Sequence, residues 1–175
     1  AKSVSEILPG SVFLLPTWPL GTAPTNQGLV RTVVLESETL WAVVHDIVLS
    51  LYDHGIKQIA VINNHGSTDG TSAWPTSNTV VKTAIRQLNY ETSGLTAIWV
   101  QPFTVGRHAL ENLFPKKQTD EIELSLLLHL SPGVVKQGAD NQMVINPSEQ
   151  IDNELLTAKG KLAFDVIVRS TVEYI

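Results

Sequence analysis

Three short runs of apolar, largely β-branched residues alternate with segments of helical periodicity, and this alternation constrains the fold more than any other feature. The runs are residues 12–15, 58–62 and 95–100. Continuous apolar runs of this length are typical of strands buried on both faces of a parallel sheet. Because strand–helix–strand repeats form right-handed crossovers, the sequence predicts an α/β fold, a three-layer α/β/α arrangement around a mostly parallel sheet.

The segments between the runs carry the helical pattern. In residues 39–54, apolar side chains recur every three or four positions, with Ser37 as the expected N-cap and Gly55 as the C-terminal stop. The side chains predicted to face the core are Leu40, Val43, Val44, Ile47 and Leu51. Further helices are predicted over residues 79–90, 105–113, 120–130 and 153–174.

Composition bounds the class of protein. The 175 residues, 43% of them hydrophobic and without a repeat or linker, predict a single domain spanning residues 1–175. A formal charge of −5 without a Lys/Arg cluster argues against nucleic-acid binding. No apolar run is long enough for a membrane span, so we expect a soluble, cytoplasmic protein with no membrane partner. The first residue, Ala1, lacks a signal-type segment and is compatible with a processed or trimmed end.

Zero cysteines leave imidazole and carboxylate groups as the available metal ligands. In parallel sheets, ligands bind beyond the carboxyl ends of the strands, which here are followed by residues 16–28, 63–74 and 101–108. The second of these loops begins Asn-Asn-His-Gly, which makes His65 a candidate metal ligand. The alternative is a loop histidine that bonds to the backbone.

Three stretches together resemble the creatininase family. Residues 51–66, LYDHGIKQIAVINNHG, are similar to that family's helix, glycine, strand and Asn-Gly-His-Gly-Gly-Asn loop. Residues 15–22, LPTWPLGT, resemble its Pro-x-x-x-Tyr-Gly-x-Ser segment, and residues 121–128, EIELSLLL, resemble its Glu-x-Glu-Thr-Ser helix start. The resemblance covers roughly residues 10–137 in matching order and spacing.

The resemblance implies parallel strands between helices, a site for a divalent metal, Zn or Mn, and attack of water on the C–N bond of a cyclic amide or formamide. By position, it assigns the metal ligands His65 and Glu123, and Asp69, four residues beyond His65 in the same loop, is the candidate for a third ligand. It likewise assigns the catalytic residues Glu121, Asn26 and Gln118. Small-molecule substrate contacts are expected from Trp18, Asn64, Gly66, Thr68 and Trp74. Family members usually form oligomers, so a homo- or hetero-oligomer is expected here by resemblance only.

Several of these assignments have plain structural alternatives. Asp69 could instead cap the turn that follows His65, and the two tryptophans, Trp18 and Trp74, could serve packing. Glu121 and Glu123 are two residues apart, so in a regular helix at most one of them points at the site. The histidines on or next to helices, His45, His54 and His129, are interpreted as structural, and His108 as a weak ligand candidate.

The departures from the family pattern are equally informative. The family's first strand with its Glu-x-His-Gly-x-His motif has no counterpart here, and its Glu-His pair appears as Thr25-Asn26. Gln118 stands where the family has histidine, and Ser67-Thr68 replace a Gly-Asn pair. One hypothesis is therefore an enzyme whose missing strand and ligands come from a complementary chain or fragment. The other is a metal-free, divergent subunit that binds a small molecule or partner, or catalyses a non-hydrolytic reaction.

Overall fold

The computed structural model describes residues 1–22, 34–63, 76–115, 119–134 and 153–175. The elements follow in the order α1 (Lys2–Ser5), α2 (Ser37–Asp53), β1 (Gln58–Ile62), α3 (Ser77–Glu91), β2 (Thr96–Val100), α4 (Pro102–Val105), α5 (Arg107–Leu113), α6 (Thr119–Leu130), a 3-10 turn (Pro132–Val134) and α7 (Asn153–Tyr174). Among these helices, none is long and apolar enough to cross a bilayer.

The described residues group into two compact units, each of which has its own packing. The first comprises Ala1–Pro102 with Tyr174–Ile175, and the second comprises Phe103–Glu173. The first holds both described strands, whereas the described elements of the second are helical. The single-domain organisation stays a prediction.

A parallel pair of strands lies at the centre of the first unit. β1 and β2 pair in register from Gln58 opposite Thr96 to Ile62 opposite Val100. The ladder extends past both ends, because the Thr96 N–H donates to the Lys57 carbonyl (2.8 Å) and the Asn63 N–H donates to the Val100 carbonyl (2.9 Å). The predicted strand at residues 58–62 is confirmed, and the predicted strand at 95–100 begins one residue later. The α/β fold class is confirmed with them.

Helices α2 and α3 pack against one face of this pair. Their buried residues form one cluster with Leu95 and Ala97, and Ile59, Val61 and Trp99 lie against it. In the register of the sheet, Ile59 is opposite Ala97 and Val61 is opposite Trp99, so these strand residues share one face. Both helices therefore lie on the same side of the strands.

The two ends of α2 agree with the prediction from the sequence, except at the N-cap. Glu36, not Ser37, is the N-cap, and Ser37 is the first helical residue. At the other end, Gly55 adopts φ +88°, a conformation that favours glycine, and its N–H donates to the Tyr52 carbonyl (2.9 Å). The predicted glycine stop is thus confirmed.

The apolar surface of α2 divides into two stripes. Leu40, Val44 and Val48 are 2–3% exposed and belong to the core cluster. Val43, Ile47 and Leu51, which the sequence also predicted to face the core, are only half-buried. None of these three is among the half-buried side chains that pack against the cluster.

The prediction of a buried strand at residues 12–15 is wrong for the described chain. These residues have no regular secondary structure, and Val12, Phe13, Leu14 and Leu15 are 43%, 79%, 50% and 44% exposed. Within the described residues, no neighbouring strand offers hydrogen bonds to this run and nothing covers its apolar side chains, so composition alone does not make it a strand.

In the second unit, α6 and α7 approach closely. Ser125 of α6 is fully buried, and a Cβ at Gly160 of α7 would collide with the Ser125 carbonyl. Leu124, Leu128 and Leu156 form an apolar cluster between these helices. Helices predicted at residues 120–130 and 153–174 are confirmed at Thr119–Leu130 and Asn153–Tyr174. The helix predicted at 105–113 appears as α5 (Arg107–Leu113), and the short α4 (Pro102–Val105), which was not predicted, precedes it.

Candidate active-site residues

The chain leading to α2 is tied to the start of α3 at the carboxyl edge of the sheet. Ser77, the first residue of α3, donates its hydroxyl to the Thr22 carbonyl (2.7 Å), and its Oγ accepts the Thr22 N–H (2.8 Å). The Ser77 N–H also donates to that carbonyl (3.1 Å). Thr22 and Ser77 are 1% and 3% exposed. Because a crossover helix runs opposite to its strands, its first residue lies at their carboxyl ends.

The other two predicted loops leave the same edge. Asn63 directly follows β1, and its N–H donates to Val100, the last residue of β2. Gln101, 9% exposed, directly follows β2. The described ends of all three predicted loops therefore lie at the carboxyl edge of the sheet in the first unit.

The sequence contains a signal for the start of α3, where Ser77 bonds to Thr22. Residues 76–78 are Thr-Ser-Asn, the types that cap helix N-termini, yet the helix was predicted to begin at Thr79. Thr76 is the N-cap, and its side chain accepts the Thr79 N–H (3.5 Å). The pattern could not predict that Ser77 bonds to Thr22, because the two residues are 55 positions apart.

Most of the predicted site residues lie outside the described residues. They are His65 and Asp69 among the metal ligands, Asn26 and Gln118 among the catalytic residues, and Asn64, Gly66, Thr68 and Trp74 among the substrate contacts. Their roles stay predictions.

Trp18, a predicted substrate contact, is half-buried and packs against the core cluster of the first unit. The described contacts of Trp18 therefore favour a packing role, which was the structural alternative. A half-buried indole still presents part of its surface outward, so substrate contact stays a prediction.

Glu121, a predicted catalytic residue, is held in an ion pair. Its Oε1 accepts from Lys159 Nζ of α7 at 3.0 Å, and the two side chains are 24% and 28% exposed. Lys159 Nζ also lies 5.2 Å from the centroid of the Phe114 ring. The carboxylate is thus oriented and electrically compensated from α7, an arrangement that the sequence did not predict.

Glu123, a predicted metal ligand, is exposed. It lies on a different face of α6 from Glu121, as the two-residue spacing predicted. Across the residues that the structure describes, no three His, Cys, Asp or Glu side chains come together in a way that could hold a metal ion. Whether His65 and Glu123 face one cavity stays a prediction.

Three histidines interpreted as structural make local contacts. His54 Nδ1 lies 2.6 Å from the Ser50 carbonyl at the end of α2, and the His45 ring stacks on Trp41 with centroids 4.6 Å apart. The His129 ring lies 6.0 Å from that of Phe164. These contacts agree with a packing or capping role for each.

Fold and edge geometry define an α/β protein with a parallel pair of strands, and the described ends of three loops lie at the carboxyl edge of that pair. The model of the creatininase family, described as creatinine amidohydrolase, matches residues 1–174, and this chain belongs to the creatininase family. Family and fold together support a creatininase-like amidohydrolase.

Solved creatininase structures share the fold. An Mn creatininase superposes on this chain with a TM-score of 0.70 at 19% sequence identity. The match covers 99% of this chain and 78% of that one. A structure of creatinine amidohydrolase gives 0.69 at 19%, covering 99% and 77%. A mutant creatininase of Zn-Zn type gives 0.67 at 19%, covering 99% and 78%. No curated protein matches the chain.

Proposed function

We propose that this chain is the major part of a metal-dependent amidohydrolase that acts on the C–N bond of a cyclic amide or a formamide. The observation that carries the proposal is the family match over residues 1–174. It is supported by the three loop ends at one edge of the sheet, which is where open parallel sheets bind ligands. In the reaction, water adds to the carbonyl carbon, the C–N bond breaks, and the nitrogen leaves with a proton.

A divalent ion suits the proposed ligands chemically. Imidazole and carboxylate donors such as His65, Asp69 and Glu123 are those that Zn and Mn accept in proteins, and three protein ligands are typical of catalytic zinc. Such an ion polarises a carbonyl and lowers the pKa of a bound water. Creatininase structures of an Mn form and a Zn-Zn type are among those with the same fold.

The remaining roles fall to this chain's own side chains. Asn26 and Gln118 can donate and accept hydrogen bonds but cannot carry a proton between groups at neutral pH, since an amide does not titrate there. Glu121 contributes a carboxylate whose Oε1 accepts a hydrogen bond from Lys159. The proposal also includes a second chain or fragment that completes the ligand set in a hetero-oligomer, because the given sequence has no counterpart of the family's Glu-x-His-Gly-x-His motif.

Metal analysis of the purified protein tests this function. We expect about one or two equivalents of Zn or Mn, lost in His65→Ala but kept in the control His54→Ala, whose imidazole caps α2. Hydrolysis of creatinine and of an N-formylated amine should require the metal and rise when the complementary chain is present. Metal-free protein that hydrolyses these amides, or metal that survives in His65→Ala, would contradict the proposal.

The second candidate is a metal-free, divergent subunit that binds a small molecule or a protein partner. The observation that favours it is the ion pair in which Lys159 binds Glu121, the carboxylate predicted to be catalytic. Lys159→Met separates the two functions. In a hydrolase it should change the turnover number, whereas in a binding subunit it should change ligand affinity without creating turnover.

A further inference from the structure

The ion pair between Lys159 and Glu121 is fixed by further contacts within the second unit. Besides donating to Glu121 Oε1 at 3.0 Å, Lys159 Nζ lies 5.2 Å from the centroid of the Phe114 ring. Phe114 is 1% exposed and packs with Leu110 and Ala163, so its ring is a fixed surface. The ammonium group therefore has two neighbours with fixed positions, an aromatic face and a carboxylate. At 24% and 28% exposure, the two charged side chains differ from a freely solvated surface pair.

Gly160, the residue that follows Lys159, determines how closely α7 approaches α6. A Cβ at Gly160 would collide with the Ser125 carbonyl and would lie 3.1 Å from the His129 Cβ. The φ angle of Gly160 is outside the left-handed region, so glycine is required here by lack of space and not by backbone conformation. Any larger residue at this position would push the two helices apart.

Ser125 connects this crossing point to Glu121. It lies one helical turn beyond Glu121 in α6, it is fully buried, and its Oγ donates to the Glu121 carbonyl at 2.7 Å. The backbone that carries Glu121 is thus bonded to the residue of α6 that Gly160 contacts. Since Lys159 is adjacent to Gly160, the close approach of the helices fixes the backbone at both ends of the ion pair.

The ion pair engages only one oxygen of the Glu121 carboxylate. Lys159 donates to Oε1, and no described residue donates a hydrogen bond to Oε2. Because each oxygen of a carboxylate can accept hydrogen bonds, Oε2 can still accept one from a reacting group. A carboxylate that is held by one oxygen presents the other oxygen in a fixed direction, and a fixed direction is what a reaction between oriented groups requires.

We propose that Lys159 is a positioning residue for Glu121 and that Gly160 sets the distance between their side chains. Lys159 holds Oε1 and leaves Oε2 to accept a hydrogen bond from the attacking water or from the nitrogen of the substrate. Lys159 acts through Glu121 and does not itself contact the substrate. This role rests on the proposed function, in which Glu121 is catalytic, whereas the position of the carboxylate can be tested without turnover.

A purely structural ion pair would behave differently. If Lys159 served only to hold α7 against α6, its loss would lower the stability of the second unit and leave the turnover number of the folded protein unchanged. A positioning residue changes the turnover number in protein that is still folded, and a side chain that restores the bond also restores turnover.

The first test observes the bond by NMR in the full chain without substrate. The side-chain ¹⁵N–¹H signal of the Lys159 ammonium group is assigned by its loss in Lys159→Met. We expect this signal to shift in Glu121→Ala, and to shift in the same direction in Gly160→Ala because the added Cβ separates the helices. Asp165→Ala, which removes an exposed carboxylate of α7, is the control and should leave the signal in place. Circular dichroism shows whether each variant is folded.

The second test measures hydrolysis of creatinine and of an N-formylated amine by the full chain with the metal and the complementary chain of the proposed function. In Lys159→Met, we expect kcat to fall at least about tenfold and KM to change less than about threefold, because a displaced carboxylate slows the chemical step more than binding. Lys159→Arg keeps the charge and a donor, so it should recover most of the lost kcat. Lys161→Met removes the same charge from an exposed position of α7 and should leave both constants unchanged.

Three results would overturn the inference. The first is a Lys159 signal that does not move in Glu121→Ala, which would mean that the bond is absent in solution. The second is an unchanged signal in folded Gly160→Ala, which would mean that glycine does not set the contact. The third is a kcat in Lys159→Met equal to that in Lys161→Met. If the unsubstituted protein has no turnover, the proposed function fails, and shifts in both Glu121→Ala and Gly160→Ala would still support the positioning of the carboxylate.

Discussion

The outer edges of β2 and β1 belong to the same two-stranded sheet but are treated differently by the rest of the chain. Asn89 bonds to both backbone groups of Ala97 at the β2 edge, whereas no described residue bonds to those of Ala60 at the β1 edge. Folded proteins usually block exposed edges because an open edge pairs with other chains. The difference shows that, among the described residues, one edge of this sheet is closed by a side chain and the other is left open.

The largest effect should come from placing proline at the two edges. Ala97→Pro removes the N–H that Asn89 accepts and introduces a ring at a position only 3% exposed, so we expect a loss of about 3 kcal/mol or more in the free energy of unfolding. Ala60→Pro removes an N–H that bonds to no described residue, and should cost less than about 1 kcal/mol. Urea unfolding of both variants measures the difference, and equal losses would refute the comparison of edges.

The next largest effect distinguishes the two stripes of α2. Val44→Ala leaves a space in the core cluster and should cost about 1–3 kcal/mol. Ile47→Ala removes a larger side chain from the half-buried stripe, yet should cost less than about 1 kcal/mol because little packing is lost. Thermal unfolding of the two variants is the measurement. If Ile47→Ala were the more destabilising, the stripe would already be covered in the isolated chain.

The Asn89 cap should contribute a moderate amount. Asn89→Ala leaves the N–H and carbonyl of buried Ala97 without their partner, which we expect to cost about 1–3 kcal/mol, toward the low end because Asn89 itself is exposed and water can reach it. Asn89→Asp keeps the acceptor but loses the donor, so its loss should be intermediate. Gln87→Ala, which removes a surface bond to Glu91 (2.9 Å), is the control and should change stability by less than about 0.5 kcal/mol. A neutral Asn89→Ala would show that the β2 edge is closed by other means.

The smallest effect should be seen at residue 13. Phe13 is 79% exposed, so Phe13→Ser should change the stability of the isolated chain by no more than about 0.5 kcal/mol while reducing its tendency to associate. Chemical unfolding of Phe13→Ser beside the unsubstituted chain measures the change, and a large loss would mean that Phe13 is packed.

Local pattern was sufficient for most of the elements. β1, α2, α3, α6 and α7 appear within a few residues of their predicted positions because period and flanking residues such as Gly55 act over a few residues of chain. The same reasoning failed at residues 12–15, since a strand exists only where a neighbour supplies hydrogen bonds. It also failed to anticipate that Val43, Ile47 and Leu51 would be set apart from Leu40 and Val44.

The candidate site was predicted mainly by resemblance. Its metal ligands, His65 among them, were assigned by matching motifs, and the described anchors at Thr22, Asn63 and Gln101 are consistent with loops meeting at one edge. The ion pair between Lys159 and Glu121 could not be predicted, because the two residues are 38 positions apart and Lys159 lies outside the motifs that carry the resemblance.

By itself, the sequence determined the alternation of strands and helices and the parallel α/β class, since both follow from residue types at fixed short spacings, and its motifs resemble the creatininase family. Only the tertiary structure decided which sheet edge is closed, which stripe of α2 is covered and which carboxylate is paired. Those outcomes depend on residues far apart in the chain, such as Ser77 and Thr22, whose contacts exist only after the backbone has folded. Hydrogen bonds and burial are properties of neighbours in space, and spacing along the chain does not specify them.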